Sequence, residues 1–202
     1  MSSSDPVAEP GLMEVIAPKL VRCRIREFHE DDLEACLDIH RSNEPDYLEP
    51  GGIHGFVEFL ARGTSYYLVI EHDGKIIACG GLELAGDSGH ATLVYGLVHR
   101  QFHGRGFGTT LLAARLSLLE HEGDAVPVWV STSLAAVSFF GRFGFTLHSV
   151  TPDPVGPERD QGLFWLKVTP DEIESIRAGL DHRDIQIELN PPAEDSAVEP
   201  EA

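Results

Sequence analysis

The segment LVYGLVHRQFHGRGFGTTLLAARLSLLE, Leu93 to Glu120, constrains this chain more than any other. It opens as an apolar run of strand length, turns glycine-rich and basic, and then becomes helical. Gly104, Gly106 and Gly108 stand at alternate positions, and no Asp or Glu occurs from Gly89 to Leu119, although the chain carries a formal charge of -18. The first N–H groups of a helix have no internal partner and lie at the positive end of its dipole. Glycines before them let an anion come close to the amides. A strand, a glycine turn and a helix in this order therefore make a site for an anion, phosphate or pyrophosphate above all. Arg100 and Arg105 add positive potential, and a nearby carboxylate would repel the ligand. A bulky side chain at Gly106 or Gly108 is expected to push the backbone away from the anion. Two other phosphate motifs do not fit: a P-loop needs a Lys that this turn lacks, and the dinucleotide fingerprint G-x-G-x-x-G is here spelled G-x-G-x-G.

The length of 202 residues suits one ordinary domain. With 42% hydrophobic and 24% charged residues, the composition is that of a soluble globular protein. No apolar run is long enough for a membrane span, and the N-terminus lacks the basic and apolar regions of a secretory signal. Cys23, Cys36 and Cys79 form no C-x-x-C pair, which argues against a zinc site and a disulfide framework and for a reducing cytoplasm. The acidic balance argues against nucleic acid as a partner and permits a cationic substrate. Residues 1–19 read as a disordered leader and residues 190–202 as a disordered acidic tail.

Between the tails the pattern is mixed α/β, without regular βαβ alternation. Strands are expected over Leu20–Phe28, in the two halves of SYYLVIEHDGKIIACGGLEL around its His-Asp-Gly-Lys turn, and in HATLVYGLVH, VPVWVSTS, FTLHSV and GLFWLKV. Helices are expected in HEDDLEACLDIHRS, IHGFVEFLARG, from near Gly106 to about His121, in LAAVSFFGRF with Gly144 as its stop, and in TPDEIESIRAGL with Thr169 as N-cap and Pro170 first. Trp129 and Trp165 read as core. Tyr66, Tyr67 and Tyr95 read as strand packing, with a functional hydroxyl as the other option.

His103-Gly104-Arg105-Gly106-Phe107-Gly108 resembles the acyl-CoA signature R/Q-x-x-G-x-G/A of the GNAT superfamily of N-acetyltransferases, with His103 in place of Arg or Gln. YGLVHRQF stands where that family has a bulged central strand, and Ala135–Phe145, AAVSFFGRFGF, resembles its A-x-x-x-[FY]-Y-x-x-x-G-F segment. The resemblance implies an α/β fold with a central, mostly antiparallel twisted sheet flanked by helices. It implies a domain over 20–169, followed by a C-terminal helix and extension over 170–189. It further implies acetyl-CoA as co-substrate, with no metal, and a primary amine as acceptor, in a small molecule or a peptide, on a monomer or homodimer away from membranes. By similarity the backbone of Leu97, Val98 and His99 pairs with the pantetheine amides. The amides of His103, Gly104, Arg105, Gly106, Phe107, Gly108 and Thr109 hold the pyrophosphate, and Ser133 bonds the pantetheine arm.

Amine attack on a thioester needs a base and often an acid for the leaving thiolate. The resemblance puts Phe140 where relatives carry an acidic Tyr, Val128 and Thr92 where some carry a basic Glu, and Ser133 where an Asn often stands. Glu83 and His90, flanking the hairpin before the central strand, are the candidate bases. Asp46 and Glu49, in the stretch Asn43–Ile53, are candidates to attract a cationic acceptor. The alternative is a binding module that holds acyl-CoA as a sensor or scaffold and does no chemistry.

Overall fold

In a computed structural model, the described residues are 11–63, 66–86, 89–156 and 160–190. Eight strands form one sheet in the order β6-β7-β5-β4-β3-β2-β1-β8. They are β1 (Arg24–Glu27), β2 (Tyr66–His72), β3 (Lys75–Leu84), β4 (Ala91–Val98), β5 (Val126–Ser133), β6 (Thr146–Thr151), β7 (Gln161–Val168) and β8 (Ile187–Glu188). The helices are α1 (Leu12–Ile16), α2 (Leu33–Ser42), α3 (Ile53–Arg62), α4 (Phe107–Ser117), α5 (Val137–Gly141) and α6 (Pro170–His182). Neighbouring strands run antiparallel except β4 with β5 and β1 with β8.

Both faces of the central strands are covered, which is why β2 reads as an almost unbroken apolar run. Leu68 and Ile70 point into a core built with α1, α4 and α6, where Leu12, Ile16, Leu111, Leu112, Ile173 and Ile176 meet Leu82, Leu93 and Val128. Tyr67 and Val69 point the other way, into a smaller core with Cys36, Ile39, Phe56 and Phe59 of α2 and α3.

The leader expected over residues 1–19 is corrected by this packing. Residues 1–10 lie outside the described residues, but α1 is helical, and Leu12 and Ile16 are buried at 5% and 0% exposure. Met13 fills the space above Gly179 of α6. The guanidinium of Arg183 donates to the carbonyls of Ala17 and Leu20 at 3.0 and 3.4 Å, and the Val21 amide donates to Thr110 Oγ1 at 3.0 Å. An apolar pair at i and i+4 ahead of a polar run is a weak periodic signal, and the Pro and Glu around it hide it.

Helix α4 is shorter than expected, ending at Ser117 instead of about His121. The guanidinium of Arg177 on α6 binds its end, donating to Ser117 O at 2.9 Å and Leu119 O at 2.8 Å. Two orphan carbonyls are thus satisfied without further helical turns. Strand β1 starts only at Arg24, and β8 has no counterpart among the expected strands: two residues pair in parallel with β1, and Arg24 bridges Glu188 and Glu71. Helix α6 has the expected start, with a reciprocal capping box between Thr169 and Glu172. Among the described residues no helix is long and apolar enough to cross a membrane.

Candidate active site

Strands β4 and β5 pair at only three positions, Ala91–Leu93 against Val128–Val130. Beyond them, Val94–Val98 keeps only β3 as a neighbour and Ser131–Ser133 only β7, so a wedge-shaped opening lies between the two strands. A bulge in β4 accompanies the split. Gly81 pairs with Val94 and Cys79 with Leu97, so Tyr95 and Gly96 oppose the single residue Gly80. Tyr95 has φ 39, a conformation that costs a non-glycine residue about 1–3 kcal/mol unless its surroundings impose it. They do so here. The buried Tyr67 hydroxyl donates to Tyr95 O at 3.2 Å, and the rings of Phe56 and Phe59 lie 5.0 and 4.8 Å from the Tyr95 ring.

At the open end of β4 the chain makes a tight turn, Arg100–Phe102, and then the glycine turn into α4. Gly104 and Gly106 have φ values of 72 and 94. The first amide to close the helix is that of Thr110, onto Gly106 O at 2.9 Å. The His103 amide is already committed, donating to Arg100 O at 3.2 Å, so the expected row narrows to Gly104–Thr109, whose amides donate to no other described residue. They form a row of donors at a helix N-terminus.

The turn is held from several sides. His103 Nε2 donates to Val98 O at 2.8 Å, and Asn43 Nδ2, buried at the end of α2, donates to the same carbonyl at 3.0 Å. The Arg100 amide donates to Ser42 Oγ at 3.1 Å, and its guanidinium pairs with Asp46. Arg105 pairs with no carboxylate among the described residues. Its guanidinium lies 5.2 Å from the centre of the Phe102 ring.

The sequence profile of the acetyltransferase (GNAT) family matches residues 33–145, more than half of the chain. The chain belongs to the GNAT acetyltransferase family. It is thereby an acyltransferase of the GNAT type, and solved GNAT structures share its fold. The ribosomal-protein-S18-alanine N-acetyltransferase of Escherichia coli is 21% identical over 73% of this chain and 95% of its own, with a TM-score of 0.59. An aminoglycoside 6'-N-acetyltransferase complexed with coenzyme A is 13% identical over 72% and 97%, with a TM-score of 0.57. An acetyltransferase of Salmonella typhimurium with its cofactor acetyl-CoA is 17% identical over 73% and 94%, with a TM-score of 0.55. A comparison with curated protein sequences gives no match.

Within this GNAT domain, Leu97, Val98 and His99 lie on the β4 arm of the opening, Ser133 at the end of the β5 arm, and Gly104 to Thr109 at the turn. The main-chain pairing expected of residues 97–99 narrows, because the His99 amide already donates to Ile77 O at 2.7 Å and Val98 O already accepts twice. Asp46 pairs with Arg100, so each offsets the attraction the other would exert on a charged ligand.

The glycines also act differently from expectation. A Cβ on Gly106 would strike Lys19 O at 2.5 Å and Val21 Cγ2 at 2.6 Å, so this glycine admits the N-terminal segment behind the turn. A Cβ on Gly108 would sit 3.3 Å from the Phe139 ring and 3.7 Å from Val98 Cγ2. Phe107 and Thr109 are buried. Phe140 is 8% exposed and packs edge-on against Phe139 and Phe145, in the core.

Glu83 and His90 sit in different places. Glu83 pairs with Thr92, Thr92 with Trp129, and Trp129 with Trp165, one row across four strands on the face opposite α4. The two indoles stack with centres 6.0 Å apart and His148 meets Trp129 edge-on at 5.2 Å. Both tryptophans are only half-buried, which corrects their reading as core. His90 lies before β4, in the loop where its carbonyl accepts from the Ala85 amide at 3.0 Å.

Three residues near the opening are singled out by no position of a sequence motif. Asn43 clamps α2 to β4, as above. Arg142 lies over the rings of Phe139 and Phe143, and the i, i+3 spacing to Phe139 is its one signal. Arg115, on the buried side of α4, is only 3% exposed. An Arg in a run of Leu and Ala gives no sign of which way it faces. Among the described residues no group of three or more His, Cys, Asp or Glu could hold a metal ion.

Proposed function

We propose that the chain transfers an acetyl group from acetyl-CoA to a primary amine, by direct attack in a ternary complex. The observation that carries this reading is the opening between β4 and β5, with a bulged strand on one side and unpartnered amides at its mouth. The amides from Gly104 to Thr109, with Arg105, are the donor set that a pyrophosphate needs. Ser133, on the facing arm, has its hydroxyl free of any described partner and is suited to the pantetheine arm. Acetyl-CoA supplies the thioester that the amine attacks. The three cysteines are free thiols, which suits a cytoplasmic setting.

The same geometry favours Glu83 over His90 as the base. Glu83 is level with Thr92, four residues from Gly96 in the bulge, whereas His90 is six residues away. At about 3.3 Å per strand residue, that places His90 roughly 7 Å farther along the strand. Glu83 also shares its sheet face with Trp129 and Trp165. A carboxylate on the same face as half-open indoles, with Thr92 between them, suits a cationic amine with an apolar body.

Acetyl-CoA turnover against a panel of amines tests the reading. Glu83→Gln should lower kcat about 10²-fold with CoA affinity unchanged, and His90→Gln should change it only a few-fold. One observation favours the alternative of a binding module. Phe140 offers no hydroxyl to a leaving thiolate and is packed in the core. Tight CoA binding with no consumption of acetyl-CoA by any amine would establish that alternative.

A further inference from the structure

Helix α4 carries one charged side chain into the interior. The guanidinium of Arg115 reaches the sheet just where β4 bulges. Gly80 and Gly96 make room for it: a Cβ on Gly96 would meet Nη1 and Nη2 at 2.9 Å, and one on Gly80 would meet Nη1 at 3.3 Å. Its hydrogen bonds are few and long, from Nε to Leu111 O at 3.3 Å and from Nη1 to Gly81 O at 3.5 Å. No carboxylate pairs with it among the described residues. The ionisable groups that influence it are the Tyr67 phenol on β2 and the Cys79 thiol on β3, whose side chains lie in the smaller core across the sheet. Burial holds the Tyr67 phenol well above its ordinary value, so it is a neutral neighbour. Burial also pulls Arg115 down to about 10, which leaves it a cation at neutral pH.

An unpaired buried cation is costly, and an apolar residue of similar shape at such a place is often neutral or stabilising. The charge lies directly behind the bulge, and on the acetyltransferase reading, on which this inference rests, the bulge is beside the thioester. We propose that Arg115 is an electrostatic positioning residue that stabilises the negative charge on the departing sulfur of CoA. The amine nitrogen bonds to the acetyl carbon and gives its proton to the base, Glu83 on this reading, while the C–S bond breaks with its electron pair on sulfur; the buried cation favours that thiolate without giving up a proton. The hydroxyl that Phe140 lacks is then not required.

The test reads CoA binding, not turnover. A thiol such as that of cysteine ionises near about 8.5, and an opposite charge close by lowers the pKa of an acid by roughly 1–3. The bound thiol should therefore ionise at lower pH than the free one. Between the bound and free values, CoA affinity should rise about tenfold with each step of 1 in pH, and it should level off above the free value. Calorimetry from about pH 7 to about pH 9, with desulfo-CoA as the control, measures this in the unaltered protein. The expected result is a gain for CoA of about tenfold or more over desulfo-CoA, with a matching rise in thiolate ultraviolet absorbance. Arg115→Met should keep desulfo-CoA affinity and lose the gain, and Arg115→Lys should restore part of it. A flat ratio in the unaltered protein, with CoA bound, overturns the inference and leaves the acetyltransferase reading standing. Persistence of the gain in a folded Arg115→Met variant also overturns it. Failure of CoA to bind at all removes both.

Discussion

Gly104 and Gly106 invite a paired experiment, because they share a backbone conformation and differ in what lies behind them. Both have positive φ, 72 and 94. Alanine in such a conformation costs about 1–3 kcal/mol, and the stiffer unfolded chain returns about 0.4–1 kcal/mol. For Gly104→Ala nothing else applies, since no atom lies within 4 Å of the added Cβ, and a net loss of about 1 kcal/mol is expected. For Gly106→Ala the Cβ meets a main-chain carbonyl, Lys19 O, at 2.5 Å, and Val21 Cγ2 at 2.6 Å. A carbonyl cannot swing aside as the end of a side chain can. The segment from Lys19 to Val21 is fixed by the Thr110 hydroxyl and by Arg183. Overpacking of this kind adds about 1–3 kcal/mol, for a total of roughly 2–4 kcal/mol. Urea unfolding of the two variants gives the difference directly, provided the slopes agree. In a domain of this size, each 1 kcal/mol is about 2–4 °C in melting temperature. Equal losses for the two variants would falsify the idea that Gly106 is there to admit the N-terminal segment.

The same packing predicts that the two ends of the chain respond differently to truncation. Removing residues 1–19 deletes Leu12 and Ile16 from the core, where each truncation costs about 2–5 kcal/mol. The melting temperature should collapse, whereas removing 191–202 should leave it within about 1–2 °C. Acid should act in two stages. Burial, opposed by Glu44 and reinforced by Arg41, holds His40 below its ordinary value, so it folds neutral and protonation favours the unfolded chain. Glu44 Oε1 lies 3.1 Å from Nδ1, but that atom has no aligned hydrogen-bond partner, so burial dominates. Stability should begin to fall as pH drops below about 6.5, and His40→Gln should flatten that limb of a plot of melting temperature against pH. Burial pushes Asp32 up, but hydrogen bonds from Arg26 and the His29 amide outweigh it and hold the carboxyl below its ordinary value. Its contribution is present above about pH 3.9 and is lost as pH falls through the folded value, a limb that Asp32→Asn should remove.

Most elements were legible because local chemistry writes them. The Asp73-Gly74 turn joins β2 to β3, Gly63 at φ 61 ends α3, and Thr169 with Pro170 and Glu172 starts α6. Where a distant partner decides, the sequence alone misleads. Arg177 ends α4 from 58 and 60 residues away. Gly179 tells nothing until Met13 of α1 is seen against it. Strand β8 is two residues that the edge of β1 makes into a strand.

The proposed anion site has a physical signature in the sequence: its donors would be main-chain amides, and glycines with a helix start are enough to announce them. Proton transfer and charge stabilisation, as proposed above, depend on side chains whose placement is set by register across strands far apart in sequence. Glu83, Thr92, Trp129 and Trp165 lie far apart in the chain and become one row only once β3, β4, β5 and β7 are aligned. A slip of one residue in β4 would turn Thr92 to the other face and break the row. The bulge at Tyr95 and Gly96 sets that relation, since it shifts the pairing of β4 between Val94 and Leu97. It also creates the gap that Arg115 fills from beneath. On the proposed reading, one irregularity in one strand sets the acceptor face on one side of the sheet and places a cation on the other. The glycines at 80 and 96 carry as much of the site as those at 104 and 106, although no motif marks them.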